Sequence, residues 1–313
     1  MHSRILIELL LILFFATLFN GCSGKQIYKT AIKYNRYKAN LELKKIAISD
    51  DLNVSYLENS IPSKKTVVLI HGFGANKDNW LYLAQEFDEK YHLLIPDLIG
   101  SGGSTKPMDI NYTVEKQTEL LHLFLKKFDL NDTTLIANSM GGAIALTYAT
   151  KYPIDSLILI DAMGIKVEDS YMDKLGVDKI KKTWFDICSV EQMRVLISQG
   201  SNKPPYIPES VLEYLTEGKC RLAKLERHKY YGILDKNLDV IVDLRALAQQ
   251  IEIPTLIIWG KEDKLLSYKN AYAFQANIKG SKLLILDGIG HVPMIEDAPT
   301  VSRSILEFLH TTQ

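Results

Sequence analysis

The sequence predicts an α/β fold: a mostly parallel sheet flanked by helices, with a helical cap inserted after the sixth strand. Three observations carry this. Short apolar runs recur along the chain as "TVVLIHGFG" (66–74), "YHLLIPDLIG" (91–100), "TTLIAN" (133–138), "SLILID" (156–161), "PTLIIWG" (254–260) and "SKLLILDG" (281–288). Runs that are apolar at nearly every position, rather than every second one, belong to strands covered on both faces. Helix-patterned segments separate them, which is the alternation of a parallel sheet. Between 164 and 245 the strand rhythm stops, and it resumes afterwards.

Taken in order, residues 25–45 are polar and tyrosine-rich and read as an amphipathic lead-in or spacer. Weaker strands over 44–49 and 53–58 give an antiparallel start. A helix is expected over 78–87 and another over 113–130, where Leu120, Leu121, Phe124, Leu125 and Phe128 share one stripe. The helix Met140–Lys151 lies between the runs at 133–138 and 156–161. The inserted stretch is helical and interrupted by "NKPPYIP" (202–208). Its Met172, Trp184, Phe185, Met193, Tyr206, Tyr214 and Tyr230 read as core of the insertion, with a wall for an apolar substrate as the other reading. The expected organisation is a leader over 1–22, core over 23–163, cap over 164–245 and core again over 246–313.

The chain has 313 residues, 47% of them hydrophobic, enough for a large buried core. Lysine plus arginine and aspartate plus glutamate each number 37, so the net charge is zero. No basic excess points to nucleic acid, and no cysteine spacing points to a metal site. Neither metal nor cofactor is expected.

The N-terminus has the plan of an export signal. Met1-His2-Ser3-Arg4 is followed by an apolar stretch over 5–19 and then Asn20-Gly21-Cys22-Ser23. The stretch is short for a bilayer span. Gly21 and Cys22 resemble the end of a lipoprotein box, although Phe19 and Asn20 depart from it. Cys22 is therefore the candidate lipidation site, and a plain signal-anchor is the alternative. Both imply an exported protein tethered to a membrane. Cys188 and Cys220 read as free thiols.

Three residues capable of joint chemistry fall after predicted strands, where parallel sheets place their sites. Ser139 follows "TTLIAN", Asp263 follows "PTLIIWG", and His291 follows "SKLLILDG". A serine hydroxyl needs a base to become a nucleophile. His291 would supply that base and Asp263 would orient it. Glu262, Asp161 and Asp287 are the rival acids, and Glu262 is expected to be solvated. Ala137 stands where the G-x-S-x-G pattern has its first glycine. A serine on so tight a turn should have a strained φ, with strand and helix passing close on both sides. The flanking positions must then be small, and alanine satisfies that at 137.

The segments "HGFGANKDNW" (71–80), "PDLIGSGGS" (96–104), "NSMGG" (138–142) and "GHVPMIEDAP" (290–299) resemble, in this order, landmarks of the α/β-hydrolases. The likeness runs from about residue 52 to the C-terminus, apart from the inserted segment. It is nearest to the fifth family of bacterial lipolytic enzymes and to membrane-anchored monoacylglycerol lipases, which pair HGF-x-x-x-KD-x-W with an SMGG elbow. The resemblance implies an α/β-hydrolase fold and a serine hydrolase of lipid-like carboxylic esters, acting through an acyl-enzyme on Ser139. It also implies an oxyanion hole from the backbone N–H groups of Phe73 and Met140. His71, Asp97 and the glycines at 100, 102 and 103 are read as structural, and His122 as partly exposed. A carbon–carbon bond hydrolase of the meta-cleavage type is a second reading, but those enzymes carry tryptophan after the histidine where this chain has Val292. A ligand-binding surface lipoprotein without catalysis is a third.

Overall fold

The computed structural model describes residues 23–61, 65–130, 132–168, 184–235, 240–241 and 243–311. Eight strands form the main sheet: β1 (Glu42–Ala47), β2 (Asn53–Glu58), β3 (Lys65–Ile70), β4 (Tyr91–Pro96), β5 (Asp132–Asn138), β6 (Ser156–Ile160), β7 (Thr255–Gly260) and β8 (Lys282–Leu286). Their spatial order is β1-β2-β4-β3-β5-β6-β7-β8. β1 pairs antiparallel with β2, and β2 antiparallel with β4; every later pairing is parallel.

The apolar runs behave as strands buried on both faces. Val68, Ile70, Leu135, Ala137, Leu157, Leu159, Ile257 and Trp259 point to one side. Helices α2 (Val114–Leu125) and α3 (Met140–Lys151) cover that side. Val67, Leu69, Ile136, Ile158, Ile160, Leu256 and Ile258 point to the other. There they meet Trp80, Leu83, and Ile305 and Phe308 of α6 (Ala298–Thr311). Alternate residues of a strand face opposite sides of its sheet, so each run feeds two cores. Each large side chain buried this way contributes roughly 1.5–3 kcal/mol.

Three helical expectations shrink or change. The helix expected over 78–87 is a single 3-10 turn, Lys77–Trp80, continued by one α-turn, Leu81–Ala84. Asn76 starts it by capping the Asp78 N–H. The helix expected to reach 130 ends at Leu125. Phe128 still packs edge-on against Tyr56 and Phe124, but from the loop. Over residues 25–45, expected as an amphipathic lead-in or spacer, α1 (Gly24–Lys38) begins at a Ser23–Gln26 capping box and docks on two parts of the molecule. Arg36 holds Asp78 through two hydrogen bonds of 2.8 Å, and Tyr28 packs on Tyr214.

Between β6 and β7 the described chain contains α4 (Val190–Gly200) and the long α5 (Glu209–Ile233). A short antiparallel ribbon follows, pairing Leu234–Asp235 with Val240–Ile241. Phe185 and Met193 are buried. Tyr206, read as core from sequence, is 90% exposed on the proline-rich turn before α5. Cys188 and Cys220 are not free thiols: they form a disulfide with 4.8 Å between their Cα atoms. The fold lays the start of α4 beside the middle of α5, a closeness that a separation of 32 residues did not reveal. The leader and Cys22 lie outside the described residues, as does Met172. Among the described residues no helix is long and apolar enough to cross a membrane.

Candidate active site

The sheet register sets the stage. Ile70, Ala137, Leu159 and Ile257 lie in one row across β3, β5, β6 and β7. The loops that leave the sheet just beyond this row therefore emerge side by side.

Ser139 occupies the turn between β5 and α3 with φ 55° and ψ −123°, a left-handed backbone that costs a non-glycine residue on the order of 1–3 kcal/mol. Backbone bonds hold it there. Its N–H donates to the Ile160 carbonyl at 3.1 Å, and its own carbonyl accepts from Gly142 (2.8 Å) and Met163 (2.9 Å). Its side chain makes no capping bond to the helix below, so the hydroxyl is not spent on the first N–H groups of α3. The turn is as crowded as expected. A Cβ on Gly141 would stand 2.5 Å from the Ile70 carbonyl oxygen, and one on Gly142 would stand 2.5 Å from the Ala162 Cβ. Ala137 itself is fully buried in β5.

His291 and Asp263 meet directly. His291 Nδ1 lies 2.7 Å from Asp263 Oδ2, with the carboxylate fully buried and the imidazole 9% exposed. The other oxygen, Oδ1, accepts the N–H groups of Leu265 (2.8 Å) and Leu266 (3.0 Å). A carboxylate can only accept here, so Nδ1 carries the proton and Nε2 is left as a base.

The rival acids separate by environment. Asp287 is exposed and pairs with Lys261 at 2.6 Å. Glu262 is half-buried, contrary to expectation, and its Oε2 has no hydrogen-bond partner. Asp161 is fully buried beside Asp263, and its carboxyl pKa is pushed well above the usual range. Burial is the main cause and the Asp263 charge the second.

The loop that carries Phe73 is braced from below. A Cβ on Gly72 would come within 2.9 Å of the Ser139 Cβ, so this loop runs directly over the serine. His71 is fully buried, and the Leu98 N–H donates to its Nε2 at 3.1 Å. Nδ1 must then hold the proton and donate to the Gly72 carbonyl, 2.8 Å away. Burial lowers the His71 pKa to about 4, so the ring is neutral and can keep both bonds. Beside it, Lys77 Nζ meets Asp97 at 2.6 Å, and the Lys77 and Gly103 N–H groups also donate to that carboxylate. Burial works to raise the Asp97 pKa, but Lys77, foremost among its partners, holds it below the usual value. The structural reading of His71 and Asp97 fits these contacts. His122 is half-buried, stacked on Tyr152 and bonded to the Tyr148 hydroxyl.

From above, the Phe73 ring meets Phe185 and Tyr230 edge-on, and Lys229 Nζ lies 5.2 Å from its centre. The same ammonium bonds the Gly100 carbonyl, the Ser101 hydroxyl and Glu226.

Sequence reasoning missed two tethers. Asn138 Nδ2 donates to the carbonyls of Ile160 (3.1 Å) and His291 (3.2 Å). Glu296 accepts from the Gly290, Asn202 and Lys203 N–H groups, joining the histidine loop to the turn after α4. Both lie inside quoted segments, "NSMGG" and "GHVPMIEDAP", where polar residues close to the candidates Ser139 and His291 were the available signal.

The chain as a whole is similar to known proteins. Residues 65–185 and 196–298 match the family described as alpha/beta hydrolase fold. Lipase 1 of Psychrobacter immobilis is 33% identical over 88% of this chain and 88% of its own length. The monoacylglycerol lipase ABHD6 of Homo sapiens is 26% identical over 79% of this chain and 75% of its own. A crystal structure of a membrane phospholipase A, described as a bacterial virulence factor, superposes with TM-score 0.84 and 28% identity, covering 99% of both chains. With an eight-stranded sheet of this order and a family match across most of its length, the chain belongs to the α/β hydrolase fold family.

Proposed function

We propose that this carboxylic ester hydrolase acts on lipid-like esters, such as monoacylglycerols or short-to-medium acyl esters, through Ser139, His291 and Asp263. The observation that supports it most is the buried 2.7 Å contact between His291 and Asp263, on the loops beside a serine held at φ 55°. In this reading His291 Nε2 takes the Ser139 proton as Oγ bonds to the ester carbonyl carbon. The oxyanion is met by the N–H groups of Phe73 and Met140. Collapse breaks the bond to the alcohol, which leaves with the proton from His291, and Asp263 stabilises the transient imidazolium. Water, deprotonated by the same histidine, then releases the acyl group and restores Ser139.

Residues 164–245 act as a cap over the acyl chain, and the aromatic contacts of Phe185 and Tyr230 with Phe73 support an apolar wall at that place. The names of the relatives, lipases and a membrane phospholipase, favour a lipid substrate. The leader over 1–22 supports export and tethering to a membrane, by acylation of Cys22 or as a signal-anchor.

A fluorophosphonate probe and a panel of esters test the reading together. The wild-type protein should carry the adduct on Ser139 and hydrolyse medium-chain monoacylglycerol. Ser139→Ala should do neither, and hydrolysis at wild-type rate by that variant would sink the assignment.

A further inference from the structure

A second carboxyl group lies behind the pair just described. Asp161 directly follows β6 and has φ 44°, an uncommon backbone for a non-glycine residue, though aspartate adopts it more readily than most. It is fully buried. Its N–H donates to the Ile258 carbonyl at 3.0 Å, and its Oδ1 accepts the Gly260 N–H at 2.9 Å. Its Oδ2, also buried, has no donor. What it faces is Asp263: carboxyl oxygens of Asp161 and Asp263 and a ring nitrogen of His291 all lie within 4.8 Å of one another.

Two bare carboxylates in this contact would repel each other, the more so because both are fully buried. One proton between them turns the repulsion into a hydrogen bond. The lone pairs decide its direction. Asp263 Oδ1 already accepts two N–H groups, and Oδ2 accepts one, from His291, which leaves Oδ2 one free position. Asp161 has its own Oδ1 occupied by Gly260 and its Oδ2 free to carry the hydrogen.

We propose that Asp161 is a positioning residue: its carboxyl O–H donates to Asp263 Oδ2, holding the acid in place behind His291. The charged groups facing it are Asp263, from the loop after β7, and Glu296, from the turn after His291; both disfavour a charge on Asp161. The imidazole of His291 is the third titratable neighbour. A neutral donor at this point spreads the Asp263 charge and fixes the carboxylate plane without adding a second anion. The role rests on the proposed assignment of Asp263 and His291.

Asp161→Asn and Asp161→Val separate the possibilities. Asparagine keeps an acceptor for Gly260 and an N–H donor for Asp263. Its kcat/KM should stay within about threefold of wild type and the acid limb of its pH profile should not move. Valine removes the donor. Its kcat should fall about tenfold or more at unchanged KM, the order expected for losing a hydrogen bond to a charged group. Its acid limb should move to higher pH, because an Asp263 without its donor stabilises the imidazolium more. An infrared spectrum should show a protonated carboxyl band in wild type that Asp161→Asn lacks. An acid limb moved to lower pH in Asp161→Asn would mean that Asp161 is an anion, and would overturn the proposal. So would wild-type kcat and pH profile in Asp161→Val, or an infrared band unaffected by Asp161→Asn. If the valine variant does not fold, asparagine and the infrared band decide. That band also reports independently of activity: if Ser139→Ala stayed active, the catalytic assignment would fall while the protonation of Asp161 was still read.

Discussion

The side-chain amide of Asn138 donates to the main-chain carbonyl of His291 across 3.2 Å, and to that of Ile160 across 3.1 Å. One residue of β5, adjacent to Ser139, therefore sets the distance to a loop that arrives 153 residues later. Asn138→Ala would leave the buried His291 carbonyl without this donor, at a cost of about 1–3 kcal/mol, while the Ile160 carbonyl keeps the Ser139 N–H. The expected result is a lower melting temperature together with a kcat reduced about tenfold and KM little changed. A variant with wild-type kcat would show that the serine and histidine loops are registered by something else.

The crowding around the serine turn gives a sharper contrast. Gly141→Ala would place its Cβ 2.5 Å from the Ile70 carbonyl oxygen and 2.8 Å from that of His71, backbone atoms that cannot swing aside. That variant should be insoluble or inactive. Ala137→Gly, at the position where the common pattern carries glycine, should fold and remain active, with a stability loss of about 0.5–1 kcal/mol for glycine within a strand. Circular dichroism and ester hydrolysis on the two proteins check both halves.

His71 should make stability depend on pH. Its folded pKa of about 4 lies below the unfolded value of about 6.5, so above both values the ring is neutral in either state and carries no penalty. As pH falls from 6.5 towards 4 the unfolded chain gains a proton that the folded one refuses, and folding weakens by up to about 3 kcal/mol. Urea titrations at pH 7 and pH 4.5 should show that loss, and His71→Gln should flatten it. An equal pH slope in the variant would refute the account.

The Cys188–Cys220 bridge should stabilise the inserted segment. A loop of this length corresponds to about 3–4 kcal/mol in the chain-entropy description. Under reducing conditions, or as Cys188→Ser with Cys220→Ser, limited proteolysis should cut first between β6 and β7 while the sheet survives. Identical cleavage patterns with and without reductant would contradict this.

The strands were legible because their signal is local. A strand buried on both faces is written in the chain as an uninterrupted apolar run, and Val67–Ile70 or Ile257–Trp259 needed no partner to be recognised. That Asp263 and His291 would come together was legible for a related reason: parallel strands end on one edge, so the order of loops predicts their neighbourhood. The contacts that depend on distant chain were not. Lys77 looks like a surface lysine until Asp97 is brought beneath it. Residues 25–45 read as amphipathic, but the groups that α1 docks on, Asp78 and Tyr214, lie elsewhere in the chain. The disulfide and the exposed Tyr206 depend likewise on how α4 and α5 lie together. Asp161 was visible as a rival acid; its burial, which changes its role, was not.

The docking of α1 has a mechanical consequence. Arg36 is fastened to the Asp78 turn, beside Lys77 and below the Phe73 loop, while Gly24 lies so close to Ser210 that an added Cβ would overlap its carbonyl. The helix thus works as a strut between the start of α5 and the sheet. A displacement of its first turn would therefore be felt at the start of α5 and, through Arg36, at the Asp78 turn.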